Sequence, residues 1–218
     1  MRNPVTALLF GLLLLLSPTS GCLGGSTSDD GSASALYPSL EDPCLSPSLP
    51  ISQEETTILV EGVERTFRLS VPSSDAGTGL ALVIAFHGGT DSQEDFAQQE
   101  QFDQLGEQEK FIMAYAIADQ ERTAAEGEWY LNTAATSMDD NNFSEAIVEE
   151  LSAVYCVDQS RLYAIGYSLG AMFTYEIACQ LNHRFSAVAS FAGTMPVRPE
   201  SCDLDLSLIH ISEPTRPY

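Results

Sequence analysis

The sequence has 218 residues, enough for one α/β domain with a sizeable core. Its 9 Lys and Arg against 31 Asp and Glu give a net charge of −22. That argues against nucleic acid and anionic membrane as partners, since both need basic patches, and suits a solute outside the cell. There is no internal repeat, and after the N-terminal leader no apolar stretch is long enough to span a bilayer.

Residues 1–22 read as an export signal. Arg2 supplies the positive start and Ala7 to Leu16 the apolar run. Thr19-Ser-Gly-Cys22 resembles a bacterial lipobox, which makes Cys22 the lipidation candidate. Thr19 stands where that box usually has Leu, so plain secretory cleavage stays open. The expectation is an exported bacterial chain, extracellular or anchored at the outer membrane, that meets membrane only through a lipid. Residues 23–50 are a flexible tether and lead-in, rich in Gly, Ser, Thr and Asp at first and in Pro and Ser later.

From residue 51 the pattern changes to alternating strands and helices. Thr57–Val60, Glu61-Gly62 and Thr66–Val71 predict a hairpin. Leu80–Phe86 is a continuous apolar run, as in a strand covered on both faces, and ends in His87-Gly88-Gly89-Thr90. Ser92–Lys110 predicts a helix with Phe96, Phe102 and Leu105 available to pack, and Phe111–Ile117 another buried strand. Asp119–Asp140 is a polar loop with the single Trp, Trp129. A helix follows from Asn142, with Glu145 as a capping partner and Phe143, Ile147, Leu151 and Val154 as its apolar stripe. Phe185–Phe191 predicts a further strand. Such alternation argues a mostly parallel central sheet with helices on both faces.

Between those last two elements lies the most informative stretch. Leu162–Ile165 is an apolar strand, Gly166-Tyr-Ser168-Leu-Gly170 a turn, and Ala171–Leu181 a helix. Gly-x-Ser-x-Gly between strand and helix is the nucleophile elbow of the α/β-hydrolases. Glycines on either side let strand and helix pass closely, and the serine stands at a helix N-terminus where free amides favour a developing oxyanion. Ser168 is the predicted nucleophile. The N–H of Leu169 is the first expected oxyanion donor. The second is expected from the loop after the early central strand, at Gly89 with Gly88 as runner-up. His87 precedes the serine in chain order and reads as structural rather than as the base. Trp129 and Tyr130 are candidates to line the substrate pocket, or simply to pack.

Four of the five cysteines fall in the exported domain, where disulfides are favoured, and allow three connectivities. Cys156 precedes the elbow strand, at the end of the sheet away from Ser168. Cys179 lies about three helical turns past Ser168, so it returns to that end. This pairs Cys156 with Cys179, and by elimination Cys44 with Cys202. The spacings do not resemble a zinc site, and no metal or cofactor is expected.

Three stretches carry a family resemblance. Val60–Pro72 (VEGVERTFRLSVP), Leu80–Thr90 (LALVIAFHGGT) and Asp158–Gly193 (DQSRLYAIGYSLGAMFTYEIACQLNHRFSAVASFAG) resemble the polyhydroxybutyrate depolymerase/feruloyl esterase group of secreted α/β-hydrolases. Gly170-Ala171 replaces the Gly-Gly that family often shows. The resemblance implies a serine esterase acting on polyhydroxyalkanoate oligomers or on feruloyl or acetyl esters of polysaccharide. The competing classes are a non-catalytic surface-anchored binding lipoprotein and an exported peptidase on the same fold.

The family order Ser, then Asp or Glu, then His puts acid and base downstream of Phe191. There the only histidine is His210, within Leu206-Ser-Leu-Ile-His-Ile-Ser-Glu-Pro-Thr-Arg216, a segment that matches the translation of a transposon-derived sequencing adapter. The expected organisation is therefore an α/β-hydrolase domain over 51–205 with its C-terminal strands missing and a non-native tail over 206–218. Such a fragment would lack the triad Asp and His, have little activity, and leave open the sheet edge beside Phe185–Phe191.

Overall fold

A computed structural model describes residues 42–89, 100–118, 129–131, 139–194 and 209–211. All lie in the second of the chain's two compact units, Leu40–Tyr218. The strands are β1 (Ile51–Val60), β2 (Val63–Val71), β3 (Leu80–Phe86), β4 (Phe111–Ala116), β5 (Val157–Tyr167), β6 (Ala187–Phe191) and β7 (Ile209–Ile211). They form one sheet in the order β1-β2-β4-β3-β5-β6-β7. The β1–β2 and β2–β4 pairs are antiparallel and all others are parallel.

The described helices are α1 (Glu100–Glu109), α2 (Asp139–Val154) and α3 (Leu169–Gln180). Alternating side chains send the sheet's two faces to different partners. Leu82, Ile84, Phe86, Leu162, Ala164 and Val188 join Phe143, Ile147, Phe173 and Ile177 of α2 and α3 in the larger core. Ala85, Met113 and Tyr115 face the other way, against Phe102 of α1. The parallel centre is thus covered on both faces, as the unbroken apolar run of β3 requires.

Several boundaries differ from the sequence expectation, each for a local reason. β1 starts at Ile51 rather than Thr57. Its early residues are polar and half-exposed, and the strand bulges between Ile51 and Glu54 with Gln53 at φ 53°. The hairpin turn lies at Glu61-Gly62, both at positive φ. α2 begins at Asp139, so Asn142 is inside the helix and does not open a capping box with Glu145. Leu105 and Val154, expected to pack, are exposed. The expected helical residues before Glu100, Phe96 among them, lie outside the described residues.

The cysteine pairing is corrected. Cys44 bonds Cys156, with Cα atoms 4.5 Å apart. The short 3-10 turn Pro43–Leu45 is drawn to the lower end of the sheet, where Gly77 N–H donates to Cys44 O (2.7 Å) and Leu80 N–H to Cys156 O (2.7 Å). Cys156 does lie at the end away from Ser168, but the lead-in segment reaches it there. That excludes both Cys156–Cys179 and Cys44–Cys202. Cys179 is also disulfide-bonded; Cys202 and Cys22 lie outside the described residues. The edge of β6 is likewise not open: Ile209–Ile211 pairs along it in parallel.

Candidate active site

The site forms where β3 and β5 end side by side. Phe86 is registered with Gly166, so the segments that follow, His87-Gly88-Gly89 and Tyr167-Ser168, leave the same carboxyl edge of the sheet. Ser168 sits at φ 53° and ψ −112°, a sparsely populated conformation for a residue with a side chain. It is the N-cap of α3, yet its hydroxyl makes no capping bond to that helix. The turn is held from both sides. Ser168 N–H donates to Phe191 O at 3.0 Å, and Met172 N–H donates to Ser168 O at 3.1 Å. Ser168 is half-buried at the end of the sheet.

The glycines are required by contact. A Cβ on Gly166 would overlap the Gly170 carbonyl, and one on Gly170 would overlap the carbonyls of Phe86 and His87. β5, α3 and the end of β3 thus meet backbone to backbone. Ala171, where the family often has glycine, is accommodated because its methyl faces Gly193. Among the described residues, a Cβ on Gly89 would meet nothing within 4 Å, and Gly89 is exposed.

As the first residue of α3, Leu169 has an N–H without an acceptor inside the helix, at the positive end of its dipole. His87 is buried, with Nε2 accepting from Ala118 N–H (3.1 Å) and Nδ1 donating to Gly88 O (2.7 Å). Burial lowers its pKa, opposed by the bond to Gly88, so the ring is neutral at pH 7. With both nitrogens engaged, it supports the loop and is not positioned as a base.

Trp129 is packed in the core among the described residues. It is 3 % exposed, stacks on Phe173 at 5.3 Å, and its Nε1 donates to His87 O at 2.8 Å. Tyr130 is half-buried, and its N–H donates to Asp140. The exposed aromatics near the nucleophile are instead Tyr167 and Phe191, stacked 5.7 Å apart. Sequence reading missed this pair. Its signal was the position of each at the last residue of its strand, beside the turn.

Among the described residues no three His, Cys, Asp or Glu group as a metal site needs, and no helix is long and apolar enough to cross a membrane. His183 is exposed beyond the far end of α3, about 18 Å along the helix from Ser168. His210 lies in β7, its backbone registered with Ser190.

Residues 65–204 match the family model described as Esterase PHB depolymerase. The chain belongs to that esterase family. It is 30% identical over 186 residues to the "Putative esterase NocK" of Nocardia uniformis subsp. tsuyamanensis, covering 78% of this chain and 52% of that protein. Feruloyl esterase B of Piromyces equi is 33% identical over 64 residues, which cover 29% of this chain and 12% of that one. The chain therefore spans about half or less of these relatives. Among solved structures, the acetyl xylan esterase of Aspergillus awamori superposes with a TM-score of 0.54 at 20% identity, covering 66% of this chain and 53% of that one. The S-formylglutathione hydrolase of Staphylococcus aureus gives 0.53 at 11% identity over 67% and 57%. These likenesses establish the α/β-hydrolase fold that the elbow implied.

Proposed function

We propose that this esterase-family chain carries the nucleophile and oxyanion donors of an exported serine esterase. The observation that carries the reading is Ser168 at a strained strand-to-helix turn, locked by Gly166 and Gly170 against the carbonyls that open the His87-Gly88-Gly89 segment. Ser168 Oγ attacks the ester carbonyl and gives its proton to an imidazole base. The N–H of Leu169 and that of Gly89, or of Gly88, hold the oxyanion as charge develops. Collapse of the tetrahedral intermediate expels the alcohol and leaves an acyl-enzyme, which water then hydrolyses. In this reading the imidazole base and its acid belong to the complete gene product, downstream of Phe191 in the family order.

The substrate class is a carboxylic ester: a polyhydroxyalkanoate oligomer, or a feruloyl or acetyl ester of polysaccharide. The Tyr167–Phe191 stack beside the nucleophile supports it. Export through residues 1–22, with Cys22 as lipid anchor, fits the disulfide chemistry at Cys44, Cys156 and Cys179. The test is hydrolysis of p-nitrophenyl acetate by the complete gene product and its Ser168→Ala variant. A loss on the order of 10⁴-fold or more in kcat is expected. Turnover that survives the substitution contradicts the assignment.

A further inference from the structure

Trp129 and Tyr130 join two parts of the fold that the chemistry above leaves separate. Arg65 on β2 donates from Nη2 to Asp140 Oδ1 at 2.7 Å, with the two side chains 4% and 2% exposed. The other carboxylate oxygen, Oδ2, accepts the Tyr130 N–H at 2.8 Å. The neighbouring residue, Trp129, is wedged between Phe86 (5.1 Å, edge-on) and Phe173 and donates its indole N–H to His87 O.

Peptide planarity turns these bonds into an orientation. In a trans peptide the carbonyl and the following N–H point in opposite directions, and among the described residues there is no cis peptide. With His87 O held by the indole inside the core, the Gly88 N–H faces away from it. With Gly88 O held by His87 Nδ1, the Gly89 N–H is aimed in the same manner. Each candidate oxyanion donor thus has its own peptide's carbonyl pinned.

Stability alone accounts poorly for the ion pair at the base of this chain of contacts. Arg65 Nε is buried with no acceptor among the described residues. Buried pairs with an incompletely satisfied partner tend to stabilise no better than an apolar pair of the same size. The Arg65 guanidinium also lies over the Phe143 ring at 4.1 Å, which fixes its plane toward α2.

We infer that Asp140, held by Arg65 and acting through Tyr130 and Trp129, is a positioning residue that pins His87 O and so fixes the direction of the Gly88 N–H, while the His87 ring sets that of Gly89. The catalytic use of that direction rests on the serine esterase reading; the brace itself does not. Trp129 is the only tryptophan, so its fluorescence reports on the brace in the 218-residue chain without any turnover. Asp140→Asn should raise acrylamide quenching of Trp129 about threefold or more with an unchanged far-UV circular dichroism spectrum. Quenching that stays at the wild-type level overturns the brace. Trp129→Phe keeps an aromatic six-membered ring between Phe86 and Phe173 but loses the indole N–H together with the five-membered ring that carries it, and it serves as well where Asp140→Asn fails to fold. In the complete gene product it should lower kcat by about tenfold and weaken a boronic-acid mimic of the tetrahedral intermediate by the same factor, with KM within about twofold. An unchanged kcat overturns the positioning role. If the wild-type gene product has no esterase turnover, the esterase reading fails, and the quenching arm still decides the brace.

Discussion

At the scale of single residues, two glycines that look alike in the sequence do opposite things. Gly170 has no room for a methyl, because the backbone carbonyls of Phe86 and His87 already fill the space. Gly170→Ala should therefore cost about 2–3 kcal/mol of stability as strand and helix are pushed apart. No described residue stands where a Gly89 methyl would go, so Gly89→Ala should change stability by less than about 0.5 kcal/mol. Urea unfolding of the two variants checks the pair. Equal losses would mean that the elbow is not pressed against the end of β3. His87 is a related case. Chain order alone removed it from the triad, and its two occupied ring nitrogens give the physical reason.

At the scale of elements, the disulfide Cys44–Cys156 ties the lead-in segment to the junction of α2 and β5. Non-reducing peptide mapping should recover those two cysteines in one cross-linked species, and a Cys156–Cys179 peptide would contradict the fold of the lead-in. Closing a loop with a sequence separation of 112 residues should make the Cys44→Ser, Cys156→Ser double variant less stable by about 2–4 kcal/mol, read from its urea midpoint. This was the pairing that sequence reasoning could not reach. Pro- and Ser-rich lead-in residues carry no periodicity, so nothing indicated that Cys44 returns to the sheet. The strands β3, β4 and β5 were legible because burial on both faces writes an unbroken apolar run. β1 was cut short because an edge strand needs apolar residues on only part of one face. The elbow was legible because its steric demands fall on two fixed positions. The Arg65–Asp140 contact was not, since a charged residue in a strand reads as solvent-facing until its distant partner is known.

At the scale of the whole molecule, the net charge of −22 makes acid stability depend on which carboxylates have partners. Asp158 is held at about 2 by Ser160 and Arg161, and Glu107 at about 2 by Lys110 and Ser73. Both folded values lie below the unfolded ones, so their contribution is complete above about pH 4.5 and is lost as pH falls toward 2. Protonation of the many other carboxylates relieves self-repulsion over the same range, so the comparison with a variant is the readout. Wild type should exceed Asp158→Asn, Glu107→Gln in urea midpoint at pH 6, with the gap closing between pH 4.5 and pH 2. A constant gap would mean that these contacts do not form in solution.

The most direct test of the account concerns one oxygen atom. The complete gene product is treated with a fluorophosphonate, which phosphonylates only a serine activated by a neighbouring base, and the modified peptide is located by mass spectrometry. A single adduct is expected on Ser168, abolished by Ser168→Ala. An adduct on any other residue, or none on an enzyme that still cleaves esters, would contradict it.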